Sequence, residues 1–319
     1  MPEIKTGSRA IIGRFFAKLE EYMGKSWVDR VSMLFTSDQE SETYKWLGMP
    51  PALREWLGGR HAHGFRENGV TIINKTFEAT LEVMVDWLRR DKTGQIDIRI
   101  AELAQRAVGH WAKLLSTLIQ NGTGATSGLC YDGQYFFDSD HSEGDSGTQL
   151  NLLAAAQVGA LDVAAATTPT AIEAVKAILG VIGYMLGYKD DQGEPMNSEG
   201  KKFLIMTGVE LWPYLCPAVV APVVSSGETN VIRELAKEGF EVSIVPNPRL
   251  SSFTDKFIVF RTDAPASSLI RQEEEAIKMS AIAEGSEEEF KHNRHLYGVK
   301  AIRNVGYGYW QYAAHATLS

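Results

Sequence analysis

Residues 95–121 constrain the fold more than any other segment of the chain. Their apolar side chains recur at steps of three and four: Ile96, Ile100, Leu103, Ala107, Trp111, Leu114 and Leu118. This periodicity predicts an amphipathic α-helix with one broad apolar face. At 1.5 Å per residue the helix would be roughly 40 Å long, whereas the usual globular helix has about 11–12 residues. Asn121-Gly122 predicts its end, so we expect a spine helix that crosses the whole body.

The composition narrows the functional class. The chain of 319 residues has a formal net charge of −8, which argues against a surface that grips nucleic acid by neutralising its phosphates. Its two cysteines, Cys130 and Cys216, are expected to be buried, reduced thiols. The N-terminal residues lack the apolar core of a signal peptide, and the most apolar segment, 171–188, carries charges and glycines. We therefore expect no secretion signal and no membrane span.

The segments before the spine helix predict a helix, a polar stretch and a hairpin. Residues 9–23 have helical periodicity, and residues 36–43 are polar without periodicity, as in a flexible arm or a loop. Residues 61–66 lead to Asn68-Gly69, which is a strong hairpin turn signal, and residues 70–75 form the returning strand. Residues 76–83 alternate like a half-exposed strand. An isolated hairpin is marginally stable in water, so this one should need a partner surface.

A second, α/β lobe is expected from about residue 168, because helical and strand patterns alternate there. Thr170 and Glu173 have the spacing of a capping box at a helix start. Strands are predicted at 203–206, 240–245 and 257–260, and helices at 209–215 and 230–238. Further strands are predicted at 296–303 and 306–313, the second because aromatic residues alternate along it. An aromatic cluster surrounds the Asp132-Gly133 turn, and residues 139–149 are expected to form a polar loop.

No catalytic, cofactor or metal site is predicted. His61 and His63 could share one strand face as metal ligands, but no third ligand is evident nearby. The loop with Asp138, Asp140, His141 and Asp145 lacks the glycine and the final acid of a calcium loop, so a solvated acidic turn is the better interpretation. Dinucleotide-binding, phosphate-binding and nucleophile-elbow motifs do not occur. The acidic runs 273–275 and 287–289 are either solvated faces or a subunit contact that meets a basic patch.

Five motifs in order resemble the major head subunit (gpT) family of Mu-like phages and prophages. They are Tyr44-Lys-Trp-Leu-Gly48, Leu53-Arg-Glu-Trp56, Asn74-Lys-Thr-Phe-Glu78, Cys130-Tyr-Asp-Gly133 with Phe136-Phe137, and Gly306-Tyr-Gly-Tyr-Trp-Gln311. The resemblance implies an α+β chain with the Hong Kong 97-type capsid fold. It divides the chain into an N-terminal arm (1–45), an extended hairpin loop (46–86), a peripheral domain with the spine helix (87–165 and 290–319) and an axial domain (166–289).

The same resemblance implies the function of a major capsid protein, not an enzyme. Copies would assemble into hexamers and pentamers of an icosahedral shell around double-stranded DNA, without sequence-specific binding and without a membrane. It implies a separate scaffold and protease, a portal, and a place in the virion after assembly in the host bacterial cytoplasm. Two alternatives stay open: an encapsulin-like nanocompartment of the same fold and an α/β enzyme. The candidate subunit-interface residues are Asn68, Gly69, Ile72, Phe77, Glu287, Glu288 and Glu289.

Overall fold

The computed structural model describes residues 7–24, 26–45, 69–90, 94–224, 227 and 229–319. The α-helices in these ranges are α1 (Ser8–Tyr22), α2 (Val28–Val31), α3 (Val85–Arg90), α4 (Gln95–Gln120), α5 (Ala171–Leu186), α6 (Trp212–Val220), α7 (Val231–Leu235) and α8 (Glu287–His292). The strands are β1 (Ser32–Thr36), β2 (Ser41–Tyr44), β3 (Val70–Ile73), β4 (Lys75–Met84), β5 (His141–Ser142), β6 (Thr148–Gln149), β7 (Leu152–Leu153), β8 (Lys202–Thr207), β9 (Glu241–Pro246), β10 (Lys256–Arg261), β11 (Leu269–Ile282), β12 (Arg294–Tyr307) and β13 (Ala313–Thr317). None of the helices described is long and apolar enough to cross a membrane.

The predicted spine helix is confirmed as α4, which has 26 residues and ends at the predicted place. Its most deeply buried side chains lie along one face: Ile100, Ala104, Ala112, Leu115, Ser116, Leu118 and Ile119. Gly122 follows the helix, and a Cβ atom there would lie 2.7 Å from the ring of Phe137. The helix therefore stops where only glycine allows the aromatic cluster to approach the chain.

A long sheet with the strand order β1-β11-β12-β4 lies beside the spine helix. β11 and β12 form an antiparallel hairpin of two 14-residue strands. β4 pairs antiparallel with β12 along its whole length, and β1 pairs parallel with β11. The sheet thus joins segments from both ends of the chain, with β4 on one edge.

A second sheet has five strands in the order β7-β13-β10-β8-β9. Helices α5 and α6 belong to the same hydrophobic core as this sheet. The predicted capping box is confirmed at the start of α5: the Thr170 hydroxyl accepts from the Glu173 N–H, and the Glu173 carboxylate accepts from the Thr170 N–H. The strands predicted at 203–206, 240–245 and 257–260 are confirmed as β8, β9 and β10.

Most of the buried apolar side chains in the described ranges belong to two clusters. The large core joins the C-terminal half of α4, the aromatic cluster after it, α5, α6 and the five-stranded sheet. The small core packs α1 and the N-terminal half of α4 onto the long sheet through eight buried residues: Ile11, Phe15, Leu19, Val83, Ile100, Ala104, Tyr297 and Val299. The spine helix therefore connects the two cores, one at each half of its length.

The N-terminal arm stays a prediction, and part of its range packs on this chain's own core. The helix predicted at 9–23 is confirmed as α1, but its Ile11 and Phe15 are buried in this chain's own small core. The stretch 36–43, predicted as a flexible arm or a loop, includes the end of β1 and most of β2. Residues 37–40 are a loop as predicted, whereas Thr36 and residues 41–43 are strand because they pair with β11 and β3, which are distant in sequence.

The predicted hairpin is described only in part and stays a prediction. β3, the returning strand, pairs antiparallel with β2, so that Tyr44 lies opposite Val70 and Ser41 opposite Ile73. The prediction had taken residues 61–66 as the leading strand. Those residues, with Asn68, His61 and His63, lie outside the described part of the chain. The half-exposed strand predicted at 76–83 is confirmed as β4.

Near the C-terminus, the strand predicted at 306–313 is wrong. Gly306 and Tyr307 end β12, residues 310–312 form a 3-10 turn, and β13 begins only at Ala313. Alternating aromatics imitate a strand pattern, but a Cβ atom at Gly308 would lie 2.5 Å from the Ser267 carbonyl oxygen. The chain turns tightly there, and the aromatic side chains enter the large core.

The predicted domain boundaries stay a prediction, and two strands do not follow them. β11 lies within the range assigned to the axial domain, yet it pairs with β12 and β1 in the long sheet. β13 lies within the range assigned to the peripheral domain, yet it pairs with β10 in the five-stranded sheet. The helix predicted at 209–215 begins later, at Trp212, with a proline in its first turn.

Candidate subunit interface

The interface residues predicted around the hairpin occupy different environments. Asn68 lies outside the described residues, and Gly69 immediately precedes β3. A Cβ atom at Gly69 would lie 2.9 Å from the Tyr44 carbonyl oxygen, so the glycine permits close approach of the two strands. Ile72 is only 3% exposed, and its carbonyl accepts a 3.1 Å hydrogen bond from the Gln272 side chain. We therefore assign Ile72 to this chain's own core.

Phe77 lies on β4, the edge strand of the long sheet. Its ring is half-buried and packs edge-on against His110 of the spine helix, with 4.4 Å between ring centroids. The neighbouring positions Thr76, Glu78, Thr80 and Glu82 are exposed. No described strand pairs with the outer edge of β4, so this ten-residue strand has an unpaired backbone edge. Exposed edges of this kind recruit other chains unless charges discourage it.

The predicted acidic cluster forms the first turn of α8, at the tip of the β11–β12 hairpin. Ser286 caps this helix, and acids in the first turn interact favourably with its dipole. Glu287 pairs with Lys291, Glu288 with Arg294 at 2.9 Å, and Glu289 accepts from the Gly285 N–H. Hydrogen bonding from Arg294 holds the pKa of Glu288 below its ordinary value. All three carboxylates of this cluster therefore already have partners within their own chain.

Sequence reasoning missed a side chain beside this cluster. Phe290 on α8 is 92% exposed, the most exposed large apolar side chain among the described residues. A single aromatic residue within an acidic run has no helical or strand periodicity, so the pattern of apolar residues did not indicate that Phe290 is exposed. The available signal was that an aromatic residue flanked by charges on both sides, EEEFKH, has no apolar neighbour in sequence to share a core with. A fully exposed phenylalanine is a candidate contact for another protein surface.

Two of the motifs that carry the family resemblance meet inside the large core. The Tyr131 hydroxyl is hydrogen-bonded to the Gln311 side chain, and the Phe136 ring stacks on Tyr307 at 4.7 Å between centroids. His141 stacks on Trp310 at 4.1 Å. These motifs therefore join the segment after the spine helix to the turn before β13, and they are structural.

The loop predicted as a solvated acidic turn is partly buried, which corrects that interpretation for His141. Its Nδ1 lies 2.6 Å from an Asp132 carboxylate oxygen, and both side chains are essentially unexposed. In the described residues, no group of three or more His, Cys, Asp and Glu side chains could hold a metal ion. Both cysteines are free thiols, with Cys130 buried and Cys216 half-buried. Burial raises the pKa of the Cys130 thiol.

The sequence is similar to known head proteins. The family model of the Mu-like prophage major head subunit gpT matches residues 10–166 and 234–318. The major capsid protein of Escherichia phage Mu is 34% identical over 116 residues, which cover 36% of this chain and 37% of that protein. The Mu-like prophage FluMu major head subunit of Haemophilus influenzae is 36% identical over 114 residues, 36% of each chain. These alignments thus span little more than a third of the curated relatives.

The fold is similar to a solved capsid structure. A chain from the procapsid of bacteriophage JBD30 matches with a TM-score of 0.54 at 22% identity, covering 98% of this chain and 75% of that one. At this identity the likeness concerns the fold. It confirms the predicted α+β capsid fold of the Hong Kong 97 type, with the spine helix, the long sheet and the five-stranded sheet as its parts.

Proposed function

Because the chain belongs to the Mu-like prophage major head subunit gpT family, we propose that it is a major capsid protein that assembles with copies of itself into a closed shell. The family match carries this proposal, since it covers α1, the spine helix and most of the long sheet. The role is structural and not enzymatic. Rotationally related copies would meet through different surfaces, in heterologous contacts that close into rings.

The finer features of the proposal follow the family. Copies would form hexamers and pentamers of an icosahedral shell around double-stranded DNA, held without sequence-specific binding. The formal net charge of −8 would keep the inner wall from gripping the packaged DNA. A separate scaffold and protease and a portal would take part, in the cytoplasm of the host bacterium, before the shell becomes the virion head. An encapsulin-like nanocompartment is the alternative, and it has less support because the family model is that of phage head subunits.

Two exposed features support specific contact surfaces. They are the outer edge of β4 and α8 with its exposed Phe290. Glu287 is the acid of its cluster with the most exposed side chain, at 74%, so it is the member best placed to meet a basic patch on another copy. Each contact can be weak, because a shell multiplies the contacts that each subunit makes.

The first test is electron microscopy of the purified protein, alone and with any scaffold encoded at its locus. We expect round shells, or rings that convert into shells. A protein that stays monomeric under both conditions, at concentrations where related head proteins assemble, would contradict the proposed function. The same sample should be checked for folding by circular dichroism, so that a failure to fold is not read as a failure to assemble.

The second test concerns the extended loop. Removing residues 61–75 would delete β3, which carries the core residue Ile72, so a narrower change is needed. Tyr44 and Val70 lie opposite each other in the β2–β3 ladder, which allows an Asn-Gly turn to replace residues 46–68. We expect a folded protein that no longer forms shells. Normal shells from this variant would remove the loop from the assembly mechanism.

A third test concerns α8. Phe290→Ser should raise the protein concentration needed for assembly, whereas Val209→Ser, at another exposed apolar position, is the matched control. Glu287→Gln should change the dependence of assembly on salt, because a charge contact between copies is screened by ions. An unchanged assembly profile across salt concentrations would exclude Glu287 from the interface.

A further inference from the structure

A cleft lies between the edge strand β4 and the spine helix α4, on the face of the long sheet that α4 covers. Its volume is about 430 Å³, and we call it the α4–β4 cleft. Phe77, Leu81, Leu103 and Val299 form its apolar floor. Around this floor stand cationic side chains from α4 and from the neighbouring strand β12, so the cleft is positively charged although the chain as a whole is acidic.

The buried end of the cleft is formed by Arg303 of β12, which is 3% exposed. Its Nε atom has no hydrogen-bond partner among the described residues. The nearest carboxylate oxygen, on Glu273, is 3.9 Å from Nη1, and the Ala107 carbonyl oxygen is 3.5 Å from Nη2. Burial lowers the pKa of this guanidinium. The guanidinium carbon lies over the Trp111 ring, 4.7 Å from its centroid, but a buried cation without a short hydrogen bond is still costly for a protein to keep.

His110 stands beside Arg303 in the same cleft. Its Nδ1 atom is buried and has no hydrogen-bond partner in the described part of the chain. Burial, followed by the charges of Arg303 and Lys113, lowers the pKa of His110 to about 4. The imidazole is therefore neutral at pH 7, and when Nδ1 carries the proton it can donate a hydrogen bond to an anion.

Three further cations line the mouth: Arg99, Arg106 and Lys113. Arg99 is paired with Glu102 at 3.1 Å, whereas no ion pair joins Arg106 or Lys113 to another described residue. Counting Arg303, four cationic side chains face two carboxylates, Glu78 and Glu102. The cleft therefore has an excess of positive charge around an apolar floor.

We propose that the α4–β4 cleft binds a carboxylate-bearing, partly apolar segment of a second copy of this chain. A carboxylate in the cleft would pair with the exposed cations Arg106 and Lys113 and would offset the buried charge of Arg303, since charged groups form strong charge-assisted hydrogen bonds with a carboxylate. The apolar floor suits a peptide segment better than a phosphate backbone, which would reach only the outer cations. The inference rests on the proposed function, because only a shell protein brings a second copy to this surface.

Arg303→Met tests the buried end of the cleft. Because the arginine lacks a short hydrogen bond within its own chain, we expect the free variant to unfold at a higher urea concentration than the wild type. We expect its critical concentration for assembly to rise at least tenfold, which corresponds to about 1.4 kcal/mol. Lower stability of the free protein together with unchanged assembly would show that Arg303 is a structural residue and would overturn the proposal.

Reversing the mouth charges tests the cleft without touching the core. Arg106→Glu combined with Lys113→Glu changes two exposed side chains, and Lys176→Glu combined with Lys201→Glu makes the same charge change elsewhere on the surface. We expect only the first pair to abolish assembly at low salt. Equal effects of the two pairs would show a dependence on net charge alone and would contradict a site at the cleft.

Zero-length carbodiimide crosslinking identifies the occupant. Shells assembled from mixed ¹⁴N- and ¹⁵N-labelled copies would be crosslinked, digested and analysed by mass spectrometry. We expect Lys113 joined to an aspartate or glutamate of a differently labelled copy. Crosslinks of Lys113 only within its own copy, or protection of Lys113 only when DNA is packaged, would overturn the proposal. Absence of shells from the wild-type protein would instead contradict the proposed function, so the two failures are distinguishable.

Discussion

Strand β11 passes through both cores, and its two ends differ. Its first four residues, Leu269–Gln272, are all buried, whereas the ten that follow alternate between half-buried and exposed. At the first end the strand lies among β1, β12 and the aromatic residues of the large core. At the other end, α1 and α4 cover one face of the sheet and nothing described covers the other.

This difference shows where the molecule needs partners. The large core buries its residues on all sides, so it can stabilise itself in a single copy. The small core is a single layer of helices on a sheet whose outer face is exposed: Thr76, Glu78, Thr80 and Glu82 on β4, and Glu274, Ala276, Lys278, Ser280 and Ile282 on β11. We expect the large core to determine the stability of the free subunit, and the small core to be completed by neighbouring copies.

The largest expected effect is in the large core. Phe257 of β10 is fully buried between β8 and β13, and Phe257→Ala removes most of its ring contacts. We expect a loss of about 4 kcal/mol in the free energy of unfolding, measured by urea denaturation of the unassembled protein. A loss below about 1 kcal/mol would mean that the five-stranded sheet does not determine the stability of the subunit.

A matched change in the small core should act locally. Phe15 of α1 is also fully buried, yet it anchors a single helix to α4. Phe15→Ala should lower the local stability of α1 by about 3 kcal/mol, seen as faster amide exchange over Ser8–Tyr22. The main urea transition should move little. If both variants shift one common transition equally, the two cores unfold together and the comparison fails.

The elements of the large core were also easier to predict from the sequence than those of the small core, because their sequence patterns involve neighbouring residues only. The spine helix repeats one apolar pattern through several turns, the capping box of α5 lies within four residues, and β8 and β10 are short apolar runs. Each of these depends on neighbours in sequence, which is why the pattern alone identified them. The α+β capsid fold was predicted from the resemblance of five ordered motifs to the family and not from periodicity.

What the sequence did not predict depends on partners far away in the chain. β1 and β2 are polar or mixed, and they become strands because β11 and β3 supply their hydrogen bonds. The bond between Tyr131 and Gln311 joins residues 180 positions apart. The cleft was missed for the same reason: the sequence shows that Arg303 is an arginine, but only the packing shows that it is buried and that its one carboxylate partner, Glu273, lies as far as 3.9 Å away.

A pH-dependent effect of intermediate size is expected in the large core. Burial, with Lys256 nearby, lowers the pKa of His315 on β13 to about 4, whereas an unfolded histidine titrates near 6.5. The unfolded state therefore gains a proton first as the pH falls, so stability is full above about pH 6.5 and declines toward pH 4. Between pH 7 and pH 5 the loss from this residue should be about 2 kcal/mol. Urea unfolding of the wild type and of His315→Gln at both pH values isolates the contribution of His315. If both proteins lose the same free energy of unfolding between pH 7 and pH 5, His315 is not the source of the pH dependence.

The smallest effect compares two helix caps of the same chemistry. Thr170 caps α5, whose buried face lies in the large core, and Ser286 caps the six-residue α8 at the tip of the β11–β12 hairpin. Replacing either by Ala removes one cap hydrogen bond, worth about 1 kcal/mol to its helix.

Thr170→Ala should lower the free energy of global unfolding by that amount, because α5 melts only with its core. Ser286→Ala should leave global unfolding unchanged and only accelerate amide exchange in α8, while raising the concentration needed for assembly if Phe290 must be held in place. Equal shifts in global stability would show that the hairpin tip is as tightly coupled to the large core as α5 is.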